Sequence, residues 1–150
     1  MKVFLVIALI IVSAFIGTGS EGSVATYQTA EQVTFYTTDT DIIIDNVTVT
    51  DSKVYREVKC DLRDAFGVAE KLQTVKGVSL VTTKSAKTIL SLLNASIVSR
   101  QNVNGINIVY AYSSLVPYEI AVNGKTVNVE IADVGNGTIV AGCPVILGSY

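Results

Sequence analysis

The sequence predicts an α+β domain, an antiparallel sheet meander covered on one face by one or two helices, and three observations carry that expectation. Residues Val33–Cys60 alternate β-branched or aromatic side chains with polar ones, the period-two pattern of half-buried strands. Ala86, Ile89, Leu90 and Leu93 fall at the spacing that lines one side of a 3.6-residue helix. Asn123-Gly124 stands between two alternating runs, the strongest short hairpin signal a chain carries.

From the amino terminus, Met1-Lys2 precedes an apolar stretch, Val3–Ile16, and then the small, polar run Gly17–Ser23. This is the order of a secretory signal. As a helix the apolar stretch would reach only ~21 Å, short of the ~30 Å hydrocarbon core that a membrane span must cross. Residues 1–25 are therefore expected to be a signal peptide cut after Gly19 or after Ala25, with an uncleaved anchor over residues 3–20 as the alternative. Residues 26–32 have no hydrophobic period and read as a flexible tether. That leaves 33–150 as a single domain, a length suited to one core.

Within the domain, Val33–Tyr36, Asp41–Asp45, Val47–Val49 and Val54–Val58 are the expected strands, with Asp45-Asn46 and Asp51-Ser52 as turns. A helix capped by Asp61 or Asp64 should carry Leu62, Phe66, Ala69 and Leu72 on one side and end near Gly77. Its Gly67 weakens it. A short strand, Val78–Val81, follows, and the second helix starts at Thr83 or Ser85 and stops around Asn94. Next comes a hairpin of Ser96–Gln101 and Ile106–Ser113 around Asn104-Gly105, which sets Ile106, Ile108, Tyr110 and Tyr112 on one face. Tyr110, Tyr112 and Tyr118 are expected to pack under the helix.

Around Asn123-Gly124, pairing Val122 with Lys125 sets Ile120 opposite Val127 and Tyr118 opposite Val129. Tyr118, Ile120, Val122, Val127, Val129 and Ile131 then share an apolar face, and Glu119, Thr126, Asn128 and Glu130 a polar one. The last strand spans Thr138–Leu147, as an edge or bulged strand, because Pro144 cannot donate to a ladder.

The chain has no His, which removes the Ser-His-Asp and Cys-His nucleophile pairs and the commonest zinc ligand. Glu119 and Glu130, diagonal neighbours at ~7–8 Å on the polar face, have the separation of an inverting glycosidase pair. No aromatic side chains stand beside them to hold a sugar, so no catalytic residue is assigned. Asp39, Asp41 and Asp45 lack the glycine and the terminal glutamate of an EF-hand loop and read as turn formers rather than a calcium site. No metal and no cofactor is expected. Cys60 and Cys143 are either a disulfide closing a loop of roughly eighty residues or two small buried apolar groups. Three tripeptides, at Asn46, Asn94 and Asn136, match the glycosylation acceptor pattern. Eleven Lys and Arg against thirteen Asp and Glu, without a block of like charge, argue against nucleic acid and anionic lipid as partners.

The runs Ile89–Ala95 and Asn107–Ser113, then Val122-Asn123-Gly124-Lys125-Thr126-Val127-Asn128-Val129, and the ending Gly142-Cys143-Pro144-Val145-Ile146-Leu147-Gly148-Ser149-Tyr150 together resemble the exported YwmB family of spore-forming bacteria. The resemblance covers the C-terminal half. It implies a fold like that of the TATA-box-binding protein, a curved antiparallel sheet with helices on one side, and it carries over no activity and no functional residues. DNA binding does not follow from such a fold.

An export signal, a one-sided sheet and the missing chemistry point to a non-enzymatic extracytoplasmic interaction module, secreted or cell-envelope associated. Its protein or envelope partner would meet the polar face of Glu119, Thr126, Asn128 and Glu130. A small-ligand or glycan-binding domain is the alternative. A deep pocket enclosed by tyrosines would favour that alternative, and a flat exposed sheet the protein partner.

Overall fold

The computed structural model describes residues 31–148; the expected signal peptide and all but the end of the expected tether lie outside the described residues. Among the described residues ten strands form: β1 (Gln32–Thr37), β2 (Thr48–Asp51), β3 (Arg56–Asp61), β4 (Val75–Thr82), β5 (Ser96–Val103), β6 (Ile106–Tyr112), β7 (Ile120–Val122), β8 (Lys125–Val127), β9 (Val129–Gly135) and β10 (Thr138–Cys143). Eight of them make one sheet in the order β2-β3-β1-β4-β10-β9-β6-β5, antiparallel throughout, and β7 pairs with β8 in a small ribbon of its own. With two short helices packed on the sheet, the fold class is the α+β architecture expected from the sequence.

Register explains the core. Cys60, Val33, Leu80, Ala141, Ile131 and Val109 stand opposite one another on six successive strands, and Val58, Phe35, Val78 and Cys143 do so two residues along. Directly opposed residues share a face, so both apolar rows point to the same side and are buried there. The first helix, α1 (Ala65–Lys71), follows a 3₁₀ turn at Leu62–Asp64 and buries Ala65, Val68 and Ala69. The second, α2 (Ala86–Leu92), is capped by Ser85, whose hydroxyl accepts the Thr88 N–H at 3.2 Å. Ile89 and the following Leu93 go into the core, each worth roughly 1.5–3 kcal/mol of burial. Asn94 then ends the helix at φ 47°, the left-handed conformation that asparagine tolerates.

Several boundaries differ from expectation. The buried stripe of α1 is Ala65, Val68, Ala69 and, just beyond it, Leu72, while Phe66 is 38% exposed. Spacings of three, four and seven bring the two alanines against the sheet, where a Phe would hold it off. Neither Asp61 nor Asp64 caps through its side chain. The helix ends at Lys71, and Gly77 lies inside β4.

Asp41–Asp45 forms no strand. Asp39 accepts hydrogen bonds from Gln73 N at 2.6 Å, Thr74 N at 3.0 Å and Thr74 Oγ1 at 2.6 Å, which turns the chain out of β1 into a loop. Ile42, Ile44 and Val47 pack on the core from that loop, and Ile43 points to solvent. Finally, β10 is a central strand between β4 and β9, not an edge; it stops at Cys143, so Pro144 never has to join a ladder.

Candidate interaction surfaces

Opposite the helices, the same registers assemble a second row. Thr48, Lys59, Thr34, Ser79, Gly142, Glu130, Tyr110 and Ser99 stand across from one another on all eight strands. Every one is polar or glycine, yet Thr34, Ser79 and Glu130 in its middle are buried. The cover includes the chain itself. After β10, residues Pro144–Gly148 fold back across the row as a strap. Its backbone lies directly on Gly142, where a Cβ would come within 2.5 Å of Ile146 N and 2.6 Å of Val145 C. Leu147 takes the space beside Gly77, where a Cβ would meet its Cδ1 at 2.8 Å. Glu130, 4% exposed, accepts the Ile146 N–H on Oε2 at 3.0 Å. At the far end Gly148 reaches Tyr36, whose hydroxyl shares a hydrogen bond with Ser79 Oγ at 3.1 Å. Burial raises the Tyr36 phenol above its ordinary value against the Ser79 hydrogen bond, and burial followed by the Glu130 charge raises that of Tyr110.

The polar face expected from the sequence is therefore not one exposed face. Glu119 and Thr126 are exposed, but Glu130 lies under the strap and Asn128 is 0% exposed. The register Val122–Lys125, Ala121–Thr126 and Ile120–Val127 forms as expected. It goes no further: the chain bends at Asn128, whose N–H donates to Ala111 O at 3.0 Å, and from Val129 onward pairs with β6 instead. The Asn128 carboxamide ties down the 113–116 turn. Its Oδ1 accepts Ser113 N at 2.7 Å, and its Nδ2 donates to Ser113 O at 2.7 Å and Val116 O at 2.9 Å. The register that would make Glu119 and Glu130 diagonal neighbours therefore ends before it reaches either residue.

Cys60 and Cys143 are free and buried. They stand on β3 and β10 with β1 and β4 between them and two residues out of row, about 16 Å apart at the usual strand spacing and rise, beyond the ~7 Å Cα limit of a disulfide. Burial pushes both thiols up to about 12, helped at Cys60 by the charges of Asp64 and Asp61. Among the described residues no group of His, Cys, Asp and Glu is placed to hold a metal ion. Asp39 is committed to the 73–74 backbone, and although its partial burial opposes it, the hydrogen bonds from Thr74 and Gln73 hold its carboxyl below the ordinary value.

Tyr110 and Tyr112 belong to the face away from the helices, the helix side of β6 being taken by Val109 and Ala111; Tyr112 and Tyr118 are exposed. None of these three lines the three open depressions of about 290–440 Å³ found among the described residues. In the largest, which includes Lys59, Asp61, Arg63 and Asp64, Arg63 is paired with Asp61 at 3.1 Å and Asp64 at 3.8 Å, and Lys59 with Glu57 at 3.5 Å.

Two features go beyond the sequence expectations. One is the strap, whose signals were Gly77 and Gly142 inside strands, the mark of close backbone approach. The other is the position of β5: the hairpin it makes with β6 forms as expected, but it ends the sheet. It pairs with β6 alone, none of its eight residues is buried, and Ile97 and Val103 are 42% and 43% exposed. At the opposite edge, β2 has four residues and an Asp51–Arg56 ion pair at 2.7 Å.

Compared with protein-family models, curated proteins and solved structures, the chain matches none.

Proposed function

We propose that the chain is a non-enzymatic interaction module acting outside the cytoplasm, secreted or held at the cell envelope, and that it receives an extended strand of a protein partner on the β5 edge. The observation that supports this most is that edge: eight residues without a buried one, joined to the sheet on one side only. Unpaired N–H and C=O groups along such a strand are a template for strand addition. The exposed side chains of Ile97 and Val103, with Tyr112 opposite Ser96, supply apolar contacts beside it. The ion pairs that Arg63 and Lys59 make in one surface depression, and the break at Asn128 between the registers that hold Thr126 and Glu130, favour this reading over a glycan site or a carboxylate enzyme.

The extracytoplasmic address rests on residues 1–25 of the sequence, and the likeness to the exported YwmB family agrees with it. Among the described residues no helix is long and apolar enough to cross a membrane, so any anchoring falls to residues 3–20.

Amino-terminal sequencing of the protein from its native source tests the address. A start at Ser20 or Thr26 in the extracytoplasmic fraction is expected, and an uncleaved chain in the cytosol overturns it. A photo-crosslinker at Asn102 tests the edge. It should give a discrete adduct in intact cells that disappears with Ile97→Lys plus Val103→Lys, while the same group at Thr50 on β2 gives none; equal adducts from both edges, or none from either, refute the reading.

A further inference from the structure

We propose that the groove beneath Pro144–Gly148 exchanges its strap for the same segment of a second copy of the chain. The inference is independent of the β5 edge. What identifies the groove as a site is how completely it is built around one extended backbone. Gly142 and Gly77 remove the two side chains that would block it, since a Cβ on Gly142 would collide with the Val145 and Ile146 backbone rather than with a side chain able to move aside. Glu130 presents a buried carboxylate oxygen to a backbone N–H, a charge-assisted bond that any extended peptide can satisfy. Tyr36 and Ser79 close the far end with hydroxyls.

The contacts that select a sequence are few. Leu147 fits the notch at Gly77, and Ile146 lies over Gly142. A ligand is thus an extended segment with adjacent large apolar residues followed by a small one, and the chain's own Ile146-Leu147-Gly148 is such a segment. The strap belongs to no strand of the sheet, so it can leave without taking a ladder apart. A strap from another copy remakes the contacts of Ile146, Leu147 and Gly148 with Gly142, Glu130, Gly77 and Tyr36, while Pro144 and Val145 straighten into the hinge that joins the two copies. Closure within one chain benefits from an effective concentration in the millimolar range, so exchange between copies shows at high protein concentration or when one copy lacks its strap.

The test uses the chain ended after Cys143. Alone, it should sediment as a monomer; mixed with the full chain at high concentration, it should form a one-to-one complex, because the full chain donates a strap to the empty groove. A labelled peptide with the sequence of residues 144–150 should bind it saturably by fluorescence anisotropy. Gly142→Val in the ended chain should leave its unfolding transition unchanged, since the colliding atoms are gone, yet abolish peptide binding. Glu130→Gln should weaken binding at least about tenfold, as loss of a charge-assisted hydrogen bond implies. A cooperatively unfolding ended chain that binds neither peptide nor full chain overturns the proposal, as does binding indifferent to Gly142→Val. If the ended chain does not fold, the same peptide is offered to the full chain carrying Ile146→Pro, which lacks the N–H that Glu130 accepts. Binding there sustains the proposal and its absence overturns it. Because β5 is untouched in every variant, the adduct from Asn102 reports on the proposed function separately.

Discussion

Replacing Asn128 by alanine should be among the most damaging single changes in the molecule. The side chain is fully buried and satisfies three backbone groups, Ser113 N–H, Ser113 C=O and Val116 C=O. Ser113 and Val116 are themselves buried, so the groups released have little water to turn to. Each buried polar group left without a partner costs about 1–3 kcal/mol; with partial relief by a water entering the vacated space, the loss should come to about 3–5 kcal/mol. Against a total stability of about 5–15 kcal/mol that is a large fraction. With a urea slope of about 1–3 kcal/mol/M, the midpoint should fall by about 2 M. Amide exchange localises the effect, since Ser113 N–H loses its acceptor and should exchange fastest relative to the parent. Asn128→Asp keeps that acceptor, but at neutral pH it sets a carboxylate against two carbonyls, so it should be no milder than alanine and recover in part when acid protonates it. A midpoint shift below about 0.5 M, or an unchanged Ser113 exchange rate, would refute the argument that the carboxamide holds the 113–116 turn to the sheet.

Gly142→Ala places a methyl 2.5 Å from Ile146 N and should cost about 1–3 kcal/mol, the usual toll of overpacking, with faster exchange at Ile146 rather than in β1 or β3. The thiols should be inert in the folded chain: a thiol reagent at pH 8 should find none until denaturant is added and then two, and rapid reaction in the native state would contradict their burial. Because their folded values are raised from 9.0 to about 12, the folded chain keeps protons that the unfolded chain releases. Stability should hold up to about pH 9 and then fall toward pH 12, by at most about 1.4 kcal/mol per pH unit for each thiol, with the raised Tyr36 and Tyr110 adding to the loss, and Cys143→Ala should make the fall shallower. Asp39 works in the opposite sense, since its carboxyl is held below 3.8. Its contribution is present above that value and lost as pH falls through the lower folded one, so Asp39→Ala should differ from the parent at pH 6 and converge with it in acid; a constant difference across that range would remove the charge from the explanation.

What was legible in the sequence was what neighbouring residues decide among themselves. The turns at Asp45-Asn46, Asn104-Gly105 and Asn123-Gly124 all place their asparagine in the left-handed conformation it favours, and the Ser85 cap and the 120–127 register follow from local hydrogen bonding. Alternation failed where burial comes from a distant segment. Period two assigns Asn128 and Glu130 to water because they are polar, but the bend at Asn128 transfers the chain to β6, and the strap then closes over Glu130. The same blindness placed Asp41–Asp45 in a strand: the apolar run Ile42–Ile44 suits one, whereas the clamp on Asp39 comes from residues more than thirty positions away. The glycines at 77 and 142 were visible throughout, but a strand glycine announces a close approach without saying what approaches.

The two coverings of the sheet differ in kind, and this sets where the molecule should open. On the helix side, rows of Val, Leu, Ile, Phe and Cys face α1 and α2, so separating that layer exposes apolar surface at roughly 25 cal/mol per Å² and amounts to unfolding. On the other side the strap lies over Gly77, Gly142, Glu130 and the Tyr36 hydroxyl, groups that water can solvate once the strap lifts. Local openings that expose little apolar area cost less than global unfolding. Ile146 N–H should therefore exchange with a lower protection free energy than the β1 and β4 amides beneath it, and should respond weakly to urea, as an opening of small exposed area must. The β1 and β4 amides should instead follow the global transition. If Ile146 exchanges only with that transition and with its full urea dependence, the strap is a structural part of the core, and exchange between copies would have to proceed through the unfolded chain.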